Sequence, residues 1–301
     1  MKNKLWFQKF AITVSASLGI LILCSLFFFY VRGAHHILAQ HKSAETLAKT
    51  VEDTSQVDGS AQKAGRPIIA SAQSLHVSIF MYHHVGDLPG NADRLRHDLT
   101  VSRGQFLEQV AWLKNQGYES ITLDQVYQAS QKKFALPDKP VVFTFDDGYR
   151  DAFEVAAPIL KQHGYKGSFA VVPEFVGRAE YASWEQIVSA RNEGMEIVSH
   201  TYNHFDGGSV KYSEAFIQHN LELSLAELDM HLGKVPRILI YPYGHYTPQY
   251  VEIAEKVGFV MALTTAFGQY VEASSLMLTP RVRVHGGEPL DRFMEIIQSG
   301  K

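Results

Sequence analysis

Apolar and polar positions divide the chain into three regimes. From Phe10 to Val31 the pattern is continuously apolar, FAITVSASLGILILCSLFFFYV, 22 residues without a charge between Lys9 and Arg32. As a helix this run spans roughly 33 Å against about 30 Å of bilayer hydrocarbon, which predicts a transmembrane helix. A cleaved secretory signal has a shorter apolar region, about 7 to 15 residues, and a small-residue cleavage site, which FFFYVRG does not supply. Lys2, Lys4 and Lys9 precede the run and only Arg32 follows closely. The positive-inside rule therefore expects residues 1–32 to be a cytoplasmic stub and uncleaved signal anchor, a single pass through the cell membrane with the rest of the chain outside. Residues 33–75 are polar and small, and read as a linker with a reach of about 35 to 40 Å.

The third regime, residues 76–301, alternates strand-like and helix-like segments. Strands are predicted at His76–Met81, Val141–Phe145, Ser168–Val172, Met195–Ser199, Ile238–Tyr241, Val260–Leu263 and Arg281–Val284. Between them the 3.6-residue pattern and its caps predict helices over Ser102–Gln116, Asp151–His163, from Ser183 to Gly194, Ser213–Leu232 and Pro248–Val257, with a last one beginning at Pro289. Strands separated by helices imply right-handed crossovers and a parallel sheet covered on both sides, α/β, either open or closed into a (β/α) barrel. In both, functional side chains gather at the carboxyl ends of the strands.

Composition narrows the classes. With 46% hydrophobic and 20% charged residues the chain is globular, and 28 basic against 31 acidic residues give no electrostatic reason to expect nucleic acid. The single cysteine, Cys24, excludes an intrachain disulfide framework and a cysteine-rich zinc site, and it falls within the apolar run.

Four polar clusters follow predicted strands: Tyr82-His83-His84, Asp146-Asp147-Gly148, His200-Thr201-Tyr202-Asn203-His204 and Tyr241-Pro242-Tyr243-Gly244. Two histidines four apart can converge on one ion, and a carboxylate from the Asp-Asp-Gly turn would complete a His-His-carboxylate set with open positions, the pattern of a catalytic metal site. Alone, each motif is weak: HxxxH arises by chance, and Asp-Asp-Gly suits a tight turn whose Asp caps the next helix. The adjacent acids also suggest that one binds metal while the other accepts a proton. A divalent ion lowers the pKa of its water from 15.7 to about 7–9, within reach of a carboxylate base.

Together these residues resemble the polysaccharide deacetylases, carbohydrate esterase family 4, with the NodB-homology domain. Thr144-Phe145-Asp146-Asp147-Gly148 is similar to the first family motif and His200-Thr201-Tyr202-Asn203-His204 to the second, over residues 76–301. The resemblance implies a distorted (β/α) barrel and hydrolysis of N-acetyl groups on an amino-sugar polymer. It implies one divalent metal held by Asp147, His200 and His204, with zinc expected and cobalt, nickel or iron as alternatives, and Asp146 as general base. Tyr241-Pro242-Tyr243-Gly244 is similar to the third motif, in which the family usually has an Arg ahead of Pro-Tyr-Gly. Here Ile240-Tyr241 stand there, and Arg281 is the candidate substitute.

Met81-Tyr82-His83-His84-Val85 resembles the N-terminal motif of the branch acting on poly-β-1,6-N-acetyl-D-glucosamine, a biofilm adhesin. That favours His83 over His285 as general acid, with His84 in packing. It also implies the exopolysaccharide synthesis machinery as a partner. Tyr241, Tyr243 and Trp184 are candidates for stacking on sugar faces, and His285 for orienting substrate. Two readings compete: a deacetylase of peptidoglycan or another β-1,4 glycan, and a non-catalytic glycan-binding module, against which the intact Asp146, Asp147, His200 and His204 argue.

Overall fold

A computed structural model describes residues 74–208 and 211–299. The apolar run Phe10–Val31, the linker up to residue 73 and the membrane placement built on them lie outside the described residues. Among the described residues no helix is long and apolar enough to cross a membrane.

The chain enters through strand β1 (Ser74–His76), which pairs antiparallel with β11 (Tyr270–Glu272), so Ser74 and Leu75 belong to the fold rather than to the linker. Seven parallel strands then close a barrel: β2 (Ser78–Tyr82), β6 (Pro140–Phe145), β7 (Ser168–Val171), β8 (Glu196–Ser199), β9 (Ile238–Ile240), β10 (Met261–Phe267) and β12 (Thr279–Arg283). Closure comes from β2, which pairs with β12 on one side and β6 on the other, while the short β5 (Glu119–Ser120) flanks β6 from outside the ring. The closed ring of parallel strands is the (β/α) barrel expected from the sequence.

Period-two alternation along each strand separates two apolar clusters. Phe80, Tyr82, Phe143 and Phe145 pack outward under helix α2 (Arg103–Asn115), against Phe106, Val110 and Leu113. Ile79, Val142, Ala170, Val198, Ile240 and Leu263 form the second cluster, which fills the lumen. The lumen face of β6 therefore continues Val142, Thr144, Asp146, and that of β8 continues Val198, His200. Hydrophobic alternation thus aims these polar side chains at the barrel mouth.

Most predicted helices form, with Ser102, Ser183, Ser213 and Thr247 accepting backbone N–H bonds as N-caps. The stretch after Asp151 opens as a π-helix over Ala152–Ala156 before continuing as α-helix. Two further helices were not anticipated: α1 (Arg94–Leu99), capped by Asp93, and α3 (Leu123–Ser130), which Thr122 and Gln125 close with a capping box. The final helix, α8 (Leu290–Ser299), runs back down the barrel, where Gln269 bonds both Ile296 O and Ser78 Oγ.

Candidate active site

Parallel register brings the separated motifs together. Tyr82 lies opposite Phe145 in the β2–β6 pair, so His83 and Asp146 leave the barrel side by side, and the Asp146 N–H donates to Tyr82 O at 2.9 Å. Likewise Val171 is opposite Ser199, and the His200 N–H donates to Val171 O.

Beyond the strand ends the backbone leaves ordinary conformations. Among the described residues five non-glycine positions have φ in the left-handed range, and four of them, Asp147, Thr201, His204 and Tyr243, surround the mouth. Such conformations cost of order 1–3 kcal/mol each and persist where the surroundings over-determine them. Here they turn the Asp147 carboxylate back toward the histidines: Asp147 Oδ1 sits 3.1 Å from His200 Nε2 and 3.0 Å from His204 Nε2. The potential ligand atoms of these three residues all lie within 4.8 Å of one another.

The donor set fits a divalent cation. His200 Nδ1 is 2.7 Å from the Ile240 carbonyl, which only accepts, so this nitrogen carries the proton. In the neutral ring Nε2 is then a lone pair facing a carboxylate oxygen at 3.1 Å, acceptor against acceptor, a clash that a cation between them, or a proton on Nε2, relieves. A backbone carbonyl holding the far nitrogen is also the usual support of a metal-binding histidine. Burial pushes the His200 imidazole pKa down, but the hydrogen bond and the charges of Asp146 and Asp147 outweigh it and raise it. Burial pushes Asp147 up, and its bonds with His200 and His204 hold it well below the usual carboxylate range.

Asp146 is held differently. Arg281, wholly buried, donates from Nη1 to Oδ1 and from Nη2 to Oδ2, both at 2.8 Å, while two further N–H groups reach Thr144 Oγ1 and Thr264 O at 2.9 Å. Burial raises the Asp146 pKa, and the Arg281 charge and bonds overcome it, leaving an ionised, fixed carboxylate. Arg281 thus reaches from β12 across to the acid that follows β6.

A cleft of about 590 Å³ opens over this group, and His83 lines it beside Asp146 and Asp147. Burial lowers the His83 pKa, partly countered by the charges of Asp146 and Asp147. Tyr243, 57% exposed, lies edge-on to His204 at 4.7 Å and faces the same space.

Three candidates lie elsewhere. Tyr241 is fully buried, packed against Tyr246 and Tyr250 with its hydroxyl unpartnered, and no sugar can reach it. His285 points away from the cleft, its Nδ1 2.7 Å from Asp98 Oδ1, because β12 stops at Arg283 and Gly286 turns the chain against α1. Trp184 stacks on His231 at 3.9 Å on the outer helices. His84 packs as expected, buried against Tyr149. Conversely, Arg283, Leu95, Leu99, Phe175 and Tyr181 line the cleft without having been anticipated.

Comparison with known proteins agrees with this arrangement. Residues 133–262 match the family "Polysaccharide deacetylase", a stretch that holds Asp146, Asp147, His200, His204 and Tyr243. The barrel is thus similar to the polysaccharide deacetylases. Among curated relatives of the chain, YxkH of Bacillus subtilis (strain 168), itself named only provisionally as a polysaccharide deacetylase, is 27% identical over 86% of each chain. A poly-β-1,6-N-acetyl-D-glucosamine N-deacetylase of Escherichia coli O157:H7 is 29% identical over 66% of this chain, which spans only 36% of that protein's length. Among solved structures, a Streptococcus pyogenes deacetylase, PplD, in complex with acetate superposes with a TM-score of 0.68 at 25% identity, covering 75% of this chain and 99% of that one. IcaB from Ammonifex degensii gives 0.63 at 27% identity, covering 74% and 96%. His83 and Arg281 lie outside the matched stretch, so the family match does not bear on them.

Proposed function

We propose that this protein hydrolyses the N-acetyl groups of poly-β-1,6-N-acetyl-D-glucosamine outside the cell, releasing acetate and maturing a biofilm exopolysaccharide. The observation that carries the reading is the placement of two proton-transfer groups over one donor triad. Asp146 and His83 emerge from neighbouring strands above Asp147, His200 and His204. The poly-β-1,6-glucosamine relatives support the choice of glycan.

Asp147, His200 and His204 would hold a divalent ion, zinc in this reading, which would supply a Lewis acid toward water and the acetamide carbonyl. Asp146, aimed by the Arg281 fork, accepts the proton of the attacking water. The Tyr243 backbone N–H donates to the oxygen on which negative charge develops. His83 gives a proton to the departing glucosamine nitrogen, so that water and N-acetyl become amine and acetate. Tyr243 offers its exposed face to a sugar ring.

The test is acetate and free-amine release by the full chain from defined β-1,6 and β-1,4 oligomers, with metal content measured on the same sample. Release from β-1,6 oligomers is expected, with Asp146→Asn abolishing turnover while metal stays bound. Release from β-1,4 oligomers alone would refute the choice of glycan, and activity in the Asp146→Asn variant would refute the base. The membrane placement belongs to the same reading, supported by the uncharged run Phe10–Val31. Protease added to intact cells should then cleave the deacetylase domain, and protection would refute it.

A further inference from the structure

Helix α1 buries none of its own residues, so the apolar core does not hold it in place. Polar ties do. Asp98 Oδ2 lies 2.6 Å from Arg283 Nη2 and Asp98 Oδ1 lies 2.7 Å from His285 Nδ1, while the Gly286 N–H donates to Asp98 O at 2.8 Å. These three bonds join α1 to the end of β12. Arg96 Nη1 adds a fourth tie, to Glu180 Oε2 at 3.2 Å, next to Tyr181 of the cleft lining.

What the ties present to the cleft is Leu95 and Leu99. Four residues apart, they share one face of the helix, and Leu95 is left 62% exposed. Arg283 lines the same cleft. Val282 packs outward, so Arg283 shares the lumen face of β12 with Arg281, one pleat nearer the mouth, beside the strand that leads into His83. Apart from its bond to Asp98 the Arg283 guanidinium makes no hydrogen bond among the described residues, and the side chain is 33% exposed. Its other N–H groups are therefore available to a ligand.

An apolar platform next to a planar set of free donors suits a neutral, hydroxyl-rich ring, which has carbon–hydrogen faces and a rim of oxygen acceptors. That ring is not the reacting one. Tyr243 and His204 follow β9 and β8, whereas α1 and Arg283 sit at the β2–β12 edge of the mouth. We propose that Leu95, Leu99 and Arg283 form a subsite for the sugar unit next to the one being deacetylated. The leucines lie under its apolar face and Arg283 donates to its hydroxyls. Asp98 is the positioning residue that fixes both the helix and the guanidinium. The subsite rests on the glycan-deacetylase reading and is independent of the linkage.

The experiment measures kcat and KM of the full chain for acetate release from the methyl glycoside of N-acetylglucosamine, which fills one unit, and from β-1,6 and β-1,4 pentasaccharides. Leu95→Ser is expected to raise pentasaccharide KM by about 3-fold, and Arg283→Met, which removes charge-assisted bonds, by about 10-fold. In both, kcat/KM for the pentasaccharide should fall more than for the methyl glycoside. Asp98→Asn is expected to raise pentasaccharide KM by about 5-fold without touching the sugar itself. Wild-type pentasaccharide KM in Leu95→Ser and Arg283→Met overturns the subsite, as do equal losses on the methyl glycoside, which would assign these residues to the reacting unit. Wild-type KM in Asp98→Asn overturns its positioning role. Should Arg283→Met fold poorly, Leu95→Ser, at an exposed position, carries the test. Calorimetric binding of the pentasaccharides to Asp146→Asn, with and without Leu95→Ser, repeats the comparison without turnover. Binding weakened by Leu95→Ser in a chain whose wild type releases no acetate would refute the proposed function and leave the subsite, and acetate release with no effect of chain length would do the reverse.

Discussion

Replacing Arg281 by Met keeps the volume of a buried side chain and deletes four charge-assisted hydrogen bonds, two of them the 2.8 Å fork to Asp146. Asp146, 3% exposed, would be left as an unpaired buried carboxylate. Removing one partner of such a pair costs about 3–5 kcal/mol. For a domain of this size, at about 2–4 °C per kcal/mol, the melting temperature should fall by roughly 6–20 °C. Turnover should fall by about 10²–10⁴, the usual contribution of a positioned general base. The pH dependence follows from the wild-type balance, in which burial raises the Asp146 pKa and Arg281 more than reverses it. A carboxyl lowered in the folded state contributes stability that is complete above its unfolded pKa and is lost as pH falls through the lower folded value. Arg281→Met should therefore lack the acid-side rise in stability, and its activity should need a higher pH to recover. Calorimetry and acetate release between pH 4 and 9 read both effects, and a cycle with Asp146→Asn isolates the pair. Additive losses in the double variant, or a melting temperature within 2 °C of wild type for Arg281→Met, would refute the argument.

The two histidines proposed from sequence should separate cleanly: His83→Asn is expected to lower kcat by about 10²-fold or more with bound metal unchanged, whereas His285→Asn, exposed beside Asp98, should keep kcat within about 2-fold. Equal losses would mean that the chain can swing His285 into the cleft. Tyr243→Ala should raise KM about 5-fold with a smaller change in kcat, as expected for a sugar-stacking face, while Tyr241→Phe, which removes a buried hydroxyl without a partner, should leave melting and kinetics unchanged. Kinetic loss in Tyr241→Phe would show that the hydroxyl has a task. Glu196, raised by burial despite its bonds with Ser168 and the first N–H groups of α3, carries the opposite linkage. Its contribution is complete below the unfolded carboxyl pKa and lost as pH rises through the folded one, so wild type should gain on Glu196→Gln as pH falls from 8 to 4. A difference constant across that range would contradict it.

The barrel was readable because its strands are short apolar runs ending in polar motifs, and because helices with serine or threonine caps fall between them. Asp146, Asp147, His200 and His204 could be found because each motif is local. Arg281 could only be offered as a candidate: its partner is 135 residues away, and no spacing shows which face of a strand looks into a lumen. The same alternation misled for His285. Positions 281, 283 and 285 would share a face if the strand continued, but it ends at Arg283, whose guanidinium pairs with Asp98 of α1. Helix α1 itself carries too few apolar residues in Arg-Leu-Arg-His-Asp-Leu to show a period, which hid Leu95 and Leu99 from the site. Helix α3 is announced by Thr122 and Gln125, whose three-residue spacing is that of a capping box. Tyr241 and Tyr243 are two residues apart and look equivalent in sequence. A left-handed turn at Tyr243 sends one outward while the other stays in the core.

The described chain enters at Ser74, below β2, and its last helix descends from the mouth to the level of Ser78. Both ends therefore leave from the floor of the barrel, one barrel length from the cleft. Among the described residues, both points of attachment are thus on the side of the barrel opposite Asp146 and His204.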